Sequence, residues 1–457
     1  MAFQVELDLA GSTWALDDIH ITVSDFTERL SLFGSTPALS SASVRAIGLP
    51  LAQLRSQGHK IAGAVGRLYL DGDLLFTGTV SNPTYGAETE PVFFSIREGA
   101  YQDTALIPTL TETITEATMA KFAGTIEAER VGLSYPQIFG RPVTPLFGVA
   151  AVRCTPSPQA TTGGSRVIVL CRGVVPSTLT GVALFNDTTS TSASGTLVAV
   201  SDGLGQTLTN IVPSVAPGAG DVLWAGLGLD GGPTSVLDVA DLLLRHSSLT
   251  VDHGRLAALR ALSFKVDSYI NTPTSPWGWL QANVLAYVPV SSISTPRGLA
   301  FVVHDLNPAV GEATRTFIEG TNAWRLTQVE IGSETEVINE VSVKYGPDYE
   351  GTYRNTVTRT DARSVGLYGL RAREFTLNAT QSLNTAETVT SYLLQRYAHP
   401  TEDIDYLTTE TVALGDLVAI ADPEIYFEDT LGWITARTVR PGLPTRVSVR
   451  LLPPATA

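Results

Sequence analysis

The sequence predicts a mainly β, multi-domain α+β chain, and three observations carry that prediction. Apolar and polar residues alternate at period two over residues 1–105 and again after about 298, the spacing of strands with one buried face. Helix-period spacing is concentrated in residues 231–298. At 457 residues the chain also exceeds the size at which one hydrophobic core keeps growing, so two to four domains are expected.

Residues 1–105 read as a compact N-terminal β domain. Its clearest hairpin is Arg67-Leu68-Tyr69-Leu70-Asp71-Gly72-Asp73-Leu74-Leu75-Phe76, where Asp71-Gly72 suits the positive φ angles of a two-residue turn. Strand patterning continues through Thr79 to Tyr85 and Pro91 to Ile96. Residues 106–145 form a connector, with a helix expected over Thr118 to Arg130 and rigid Pro/Gly punctuation from Ser134 to Pro142.

Residues 146–230 are rich in Ser, Thr, Gly and Val, with strand-like runs at Arg166–Cys171, Gly181–Phe185 and Gly195–Val200, and read as an inserted small β domain. Residues 231–298 predict a short helical subdomain. Ser235 and Asp238 form a capping pair ahead of Val236, Val239, Ala240 and Leu243. A second helix is expected from Asp252 through Leu262, and a third opens at Ser275-Pro276 with Trp277, Leu280, Val284 and Tyr287 on one side.

Residues 299–457 predict a second β domain. Val341, Val343 and Tyr345 alternate with Ser342 and Lys344, and Arg373 to Leu377 does the same. One embedded helix is expected, capped by Asn384 with Glu387 three residues on, carrying Val389, Leu393 and Tyr397, and stopped at Pro400. Strands follow at Gly415–Ile420, from Trp433, and over Thr445–Leu452 after a Pro441-Gly442 turn.

Composition narrows the function. Charged residues make up 16% of the chain, against roughly 25% in ordinary soluble domains. Part of the surface is therefore expected to be covered by partners. With 45 Asp and Glu against 30 Lys and Arg, the net charge is −15, which disfavours nucleic-acid binding through clustered cations. An acidic lumen past which DNA slides without sticking is compatible with that balance. Neither an export signal nor an apolar run of membrane-spanning length is present, so assembly in a cytoplasm and no membrane span are expected. Cys154 and Cys171 each sit in an apolar stretch and read as free buried thiols, with a disulfide between them the other reading.

No signature of chemistry stands out. Gly226-Leu227-Gly228-Leu229-Asp230-Gly231 matches GxGxxG, with Asp252 about twenty residues on. The next helix begins only near Val236 and Pro233 intervenes, so a glycine-rich linker is the reading preferred over a dinucleotide site. His246, Asp252 and His253 are the nearest approach to a metal set among six scattered histidines, and their places beside helix ends suggest capping roles. GxSxG and GxxxxGK[ST] are both missing from the sequence. Glu402, Asp403 and Asp405, or Glu424, Glu428 and Asp429, could serve as glycosidase carboxylates, but they read as solvated acidic loops. Tyr345, Tyr349, Tyr353, Tyr368 and Trp433 could stack on sugars, with core or interface packing the competing use.

The order of parts resembles the baseplate hub or tail-tip proteins of tailed bacteriophages, similar to the central hub of contractile-tail baseplates. Four stretches carry the likeness: the Leu68–Gly78 hairpin, the Tyr135–Gly140 connector, the Glu340–Gly346 strand, and Asn384–Tyr397 followed by Gly415–Val418. The resemblance implies a homotrimer in which each subunit supplies two tail-tube-like β-barrel or sandwich domains, so that six ring the DNA channel. The first and last β regions would be those domains, and residues 146–230 an insertion facing fibres or neighbouring proteins. It implies a structural virion protein at the tail tip or baseplate, linking the tail tube to tip or fibre proteins, with DNA passing the lumen unbound. No enzymatic activity, catalytic residue, cofactor or metal carries over. Two alternatives remain: a hexameric distal tail protein, and a carbohydrate-binding or carbohydrate-hydrolysing tail protein using Trp433, Tyr426 and paired acids.

Overall fold

A computed structural model describes residues 3–9, 12–16, 21–30, 40–46, 61–84, 92–97, 103–107 and 137–139. It further describes 152–153, 155–160, 166–172, 182–186, 188–201, 207–216, 218, 221, 223–226, and 234–452 apart from 271, 296, 348–350 and 441. The helix expected over Thr118 to Arg130 lies outside the described residues.

The N-terminal strands are β1 (Phe3–Leu9), β2 (Ser12–Leu16), β3 (Ile21–Arg29), β4 (Ser41–Ala46), β5 (Val65–Leu70), β6 (Asp73–Thr84) and β7 (Val92–Arg97). They pair in the order β2-β1-β5-β6-β7-β4-β3. Period-two alternation fixes which face is buried: in β4, Ala42, Val44 and Ala46 point inward while Ser43 and Arg45 are shed outward. The β5–β6 turn is the one the sequence predicts, with Asp71 at φ 51° and Gly72 at φ 89°. Phe26 of β3 stacks on Phe76 of β6 at 5.3 Å, although two strands separate them in the sheet. The sheet is therefore curled around a core to which all seven strands contribute.

A separate antiparallel sheet follows β8 (Gln137–Phe139). It contains β9 (Val152–Arg153), β10 (Thr155–Ala160), β11 (Arg166–Arg172), β12 (Val182–Asn186), β13 (Thr191–Ser201), β14 (Thr207–Pro213) and β15 (Leu223–Gly226). The strand order is β10-β11-β14-β13-β12-β15-β9.

The three expected helical segments then appear in sequence. Helix α1 (Val236–Arg245) starts where Ser235 Oγ accepts the Asp238 N–H at 3.1 Å. The second segment is a 3₁₀ helix, Leu256–Ala261. After β16 (Ser268–Ile270), helix α2 (Pro276–Asn283) is capped by Ser275 and opened by its proline. The hairpin β17 (Val290–Thr295) and β18 (Gly298–Val303) completes this part.

Residues after 303 serve two cores. Strands β19 (Arg315–Ile318), β20 (Ala323–Arg325) and β21 (Glu330–Ile331) come first, then β22 (Glu340–Pro347) and β23 (Tyr353–Thr360). Strand β23 returns the chain antiparallel to β22, and helix α3 (Ala362–Tyr368) then carries it past the end of β22, so that β24 (Ala372–Leu377) lies parallel to β22 on its other side. Helix α4 (Leu383–Tyr397) packs Ala386, Val389 and Leu393 into a core shared with Val341, Val343, Leu377 and the α1–α2 region. Its N-cap is Ser382, not Asn384: Ser382 has the extended backbone of a cap and its Oγ accepts the Thr385 N–H at 3.3 Å, which places Asn384 inside the first turn.

The other core belongs to β19, β20, β25 (Glu402–Thr408), β26 (Leu417–Asp422), β27 (Phe427–Val439) and β28 (Thr445–Leu451). Pairing runs β19-β26-β27-β28-β25-β20, and the turn between β19 and β20, with a bridge from Glu319 to Ala323, spans the remaining seam. This is a small barrel filled by Phe317, Ile404, Tyr406, Val418, Ile420, Ile434, Val447 and Val449. Ala436–Val439 of β27 also pair with Phe26–Arg29 of β3, so the barrel and the N-terminal curled sheet are one continuous hydrogen-bonded surface.

Candidate functional site

The surface around β25–β28 gathers most of the residues singled out from sequence. The Glu402-Asp403-Ile404-Asp405 run, expected in a loop, lies on β25, because Ile404 and Tyr406 alternate into the barrel and turn the acids outward. Asp403 is held by Arg450 through two contacts of 2.9 and 2.7 Å. Asp405 accepts from Arg446 at 2.5 Å and from Ser448 Oγ at 2.6 Å. Both carboxylates are thus committed to cross-strand pairing with β28.

These residues line a cleft of about 640 Å³ across the junction of barrel and N-terminal sheet. Arg29, Arg440, Arg446 and Arg450 share it with Glu330, Asp403 and Asp405. Sequence reading missed it. Its signal was the i, i+4 arginine spacing at 446 and 450, matched by the i, i+2 acids at 403 and 405 on the neighbouring strand.

Glu428 and Asp429, also expected in a loop, stand at the start of β27. The tip from Asp422 to Asp429 is braced from inside. Asp422 is fully buried, accepts from the Tyr406 hydroxyl at 3.3 Å and from the Glu424 N–H at 3.1 Å, and faces Arg325 at 3.6 Å. Arg325 also contacts Glu424 at 2.6 Å. Burial, then the adjacent Asp422 charge, pushes the Tyr406 phenol well above its usual range, so it stays a donor. Tyr426 at the crest adopts a left-handed backbone, φ 59°, and its side chain is 92% exposed.

A groove of about 380 Å³ between α3, the end of α4 and β27–β28 brings together Tyr368, Trp433 and Glu402. Tyr426 is not part of it, and Trp433 is mostly buried, set edge-on to His304 at 4.8 Å. Tyr345 belongs to the α4 core, Tyr353 sits beside Asn378, and Tyr349 lies outside the described residues. The aromatic set is therefore dispersed.

The remaining candidates have local roles. His246 is the C-cap of α1, its N–H directed to the Leu243 and Leu244 carbonyls. His253 Nδ1 is 3.3 Å from Asp241, and the buried Asp252 is 3.9 Å from Arg255. Among the described residues no group of three or more His, Cys, Asp or Glu is placed to hold a metal. Gly226 ends β15, which is antiparallel to both β12 and β9, so the parallel surroundings of a dinucleotide fold are lacking at that strand. Leu227–Gly231 and Cys154 lie outside the described residues, and Cys171 is described only as a backbone position of β11. Among the described residues no helix is long and apolar enough to cross a membrane.

No protein-family model matches the chain, and no curated protein matches it. It is similar in structure to the 43 kDa tail protein of prophage MuSo2 from Shewanella oneidensis, at 11% identity and a TM-score of 0.44 over 99% of this chain and 98% of that one. It is also similar to a tail protein from Neisseria meningitidis MC58, at 12% identity and a TM-score of 0.44 over 99% and 97% of the two chains. A chain of a native gene transfer agent virion aligns at 14% identity and a TM-score of 0.43 over 71% of this chain and 85% of that one.

Proposed function

We propose that this chain is a structural, non-enzymatic component of a bacteriophage tail, a hub or tail-tip protein forming a homotrimeric ring around the DNA channel. One observation carries the reading: two curled, mostly antiparallel β units, far apart in sequence, lie side by side in one continuous sheet through β3 and β27. Three copies would supply six such units, the number that matches a hexameric tube to a threefold tip. The net charge of −15 suits a lumen that repels DNA, and the low charged fraction suits a surface covered by tube, distal tail and fibre proteins. In this reading the protein resides in the virion, at the tail tip or baseplate, after assembly in the host cytoplasm.

Light scattering on the purified chain across concentration and salt tests this directly. A mass of three times 48.6 kDa supports the hub, and six times supports a hexameric distal tail protein. A second reading, carbohydrate binding, draws on the groove that collects Tyr368, Trp433 and Glu402. A monomer at every concentration, with saturable binding of oligosaccharide lost in Tyr368→Ala, would favour it over the hub.

A further inference from the structure

The Tyr426 tip and the arginine cleft occupy opposite ends of one strand. Strand β27 has thirteen residues, so at roughly 3.3 Å per residue the tip and Arg440 are on the order of 40 Å apart and cannot meet within one subunit. Their chemistry is nonetheless complementary. The tip presents an exposed tyrosine flanked by Glu428 and Asp429, which have no cationic partner among the described residues. In the cleft, Arg446 and Arg450 are paired with acids, whereas Arg29 and Arg440 have no carboxylate partner among the described residues.

We infer that the Tyr426 tip of one subunit docks in the arginine cleft of a second copy, with Glu428 and Asp429 meeting Arg29 and Arg440. The inference rests on the proposed self-assembly and deepens it. A tyrosine inserted among arginines combines apolar burial with cation–π attraction, and aromatic and arginine side chains are the usual anchors of protein interfaces. The volume of the cleft, about 640 Å³, is in the range of pockets that take a group of this size. The tip is also preorganised: Asp422, Tyr406 and Arg325 fix its base, so little ordering remains to be done on docking. Because knob and socket are different patches, the contact is heterologous and closes only as a ring or else continues as a filament.

The heterologous geometry gives a complementation test on the full chain. A tip variant, Tyr426→Ala with Glu428→Lys and Asp429→Lys, keeps its cleft. A cleft variant, Arg29→Glu with Arg440→Glu, keeps its tip. All five positions are exposed, so both variants should remain folded, which thermal unfolding checks before association is read. In sedimentation velocity each variant alone should be monomeric where the wild type assembles, with at least a tenfold weaker association. An equimolar mixture should form heterodimers and nothing larger, since each pair has one working contact. If the folded variants assemble as the wild type does, the docking is overturned while self-assembly stands. If both are monomeric but the mixture forms no heterodimer, the tip and cleft do not meet and the inference is likewise overturned. A wild type that never associates overturns both the docking and the ring.

Discussion

Arg437 sits where the barrel meets the N-terminal sheet, and its removal has a calculable cost. Its guanidinium contacts Glu28 of β3, the residue directly across the ladder, and donates to the Val412 carbonyl at 2.7 Å. The two side chains are 20% and 11% exposed, so both charges are largely out of water. Arg437→Ala would leave Glu28 with no counter-ion and Val412 with an unsatisfied carbonyl. Breaking a buried pair from one side costs about 3–5 kcal/mol, and the residual exposure of Arg437 places the expected loss near 3 kcal/mol. For a unit of 150–250 residues that lowers the melting temperature by about 6–12 °C. Replacing both partners, Glu28→Gln with Arg437→Met, removes the stranded charge and should cost only about 1 kcal/mol. Because a chain with several cores need not unfold in one step, amide exchange at Thr27–Arg29 and Ala436–Val439 is the assay that isolates the junction. A double variant whose exchange in these strands is as fast as that of Arg437→Ala would refute the reasoning, since the damage would then lie in lost packing and not in an unpaired carboxylate.

Three further outcomes follow from two buried side chains and one glycine turn. His304 is 1% exposed, and burial lowers its pKa from the ordinary 6.5 to about 4. The unfolded chain therefore binds a proton that the folded chain refuses; the stability gained is full above pH 6.5 and lost as pH falls toward 4, about 3 kcal/mol in all. Chemical denaturation of wild type and His304→Gln at pH 7 and 4.5 should show the acid loss shrinking in the variant. Asn339 is fully buried, donates to Gly369 O at 2.7 Å and to Ser364 Oγ at 3.3 Å, and accepts from Arg371 N at 2.7 Å. Asn339→Ala strands these groups and should cost about 3 kcal/mol, read by the same denaturation, while Ser364→Ala should cost less. Gly298 has φ 114°, and a Cβ there would lie 2.3 Å from Thr250 O, so Gly298→Ala should cost about 2–4 kcal/mol and speed amide exchange at Asp252 and Leu299.

What the sequence revealed was what local chemistry dictates. Asp71-Gly72 announces its turn, Ser235 and Ser275 announce their helices, and alternation at 341–345 announces β22. Helix α3 went unseen because its seven residues carry two glycine-flanked apolar positions, Val365 and Leu367, too few to establish a helical period. The cap of α4 was misplaced by two residues because Ser382 and Asn384 are both cap-forming types, and only backbone geometry separates them. The acids at 402–405 looked like a loop because their density masked the inward alternation of Ile404 and Tyr406. Of the arginine cleft only the 446/450 and 403/405 spacing was legible, since Arg29 and Arg440 come to share it through pairing between strands some four hundred residues apart.

That pairing depends on the second of two irregularities in β27, the first lying opposite Ile420–Asp422. Ile434 pairs opposite Val449, but the next partner step is Ala436 opposite Ser448, so Thr435 is an extra residue in the ladder. Its carbonyl is not wasted, accepting from Leu30 N at 2.6 Å. In a regular strand Ile434, Ala436 and Thr438 would share a face; the bulge instead puts Arg437 and Val439 on the side of Ile434. The same face of one strand thereby delivers Ile434 to the barrel core, Arg437 to Glu28 at the seam, and Val439 to the N-terminal core. Outward go Ala436, Thr438 and Arg440, which line the cleft. One inserted residue thus both unites the two β units and shapes the surface on which a second copy is proposed to dock.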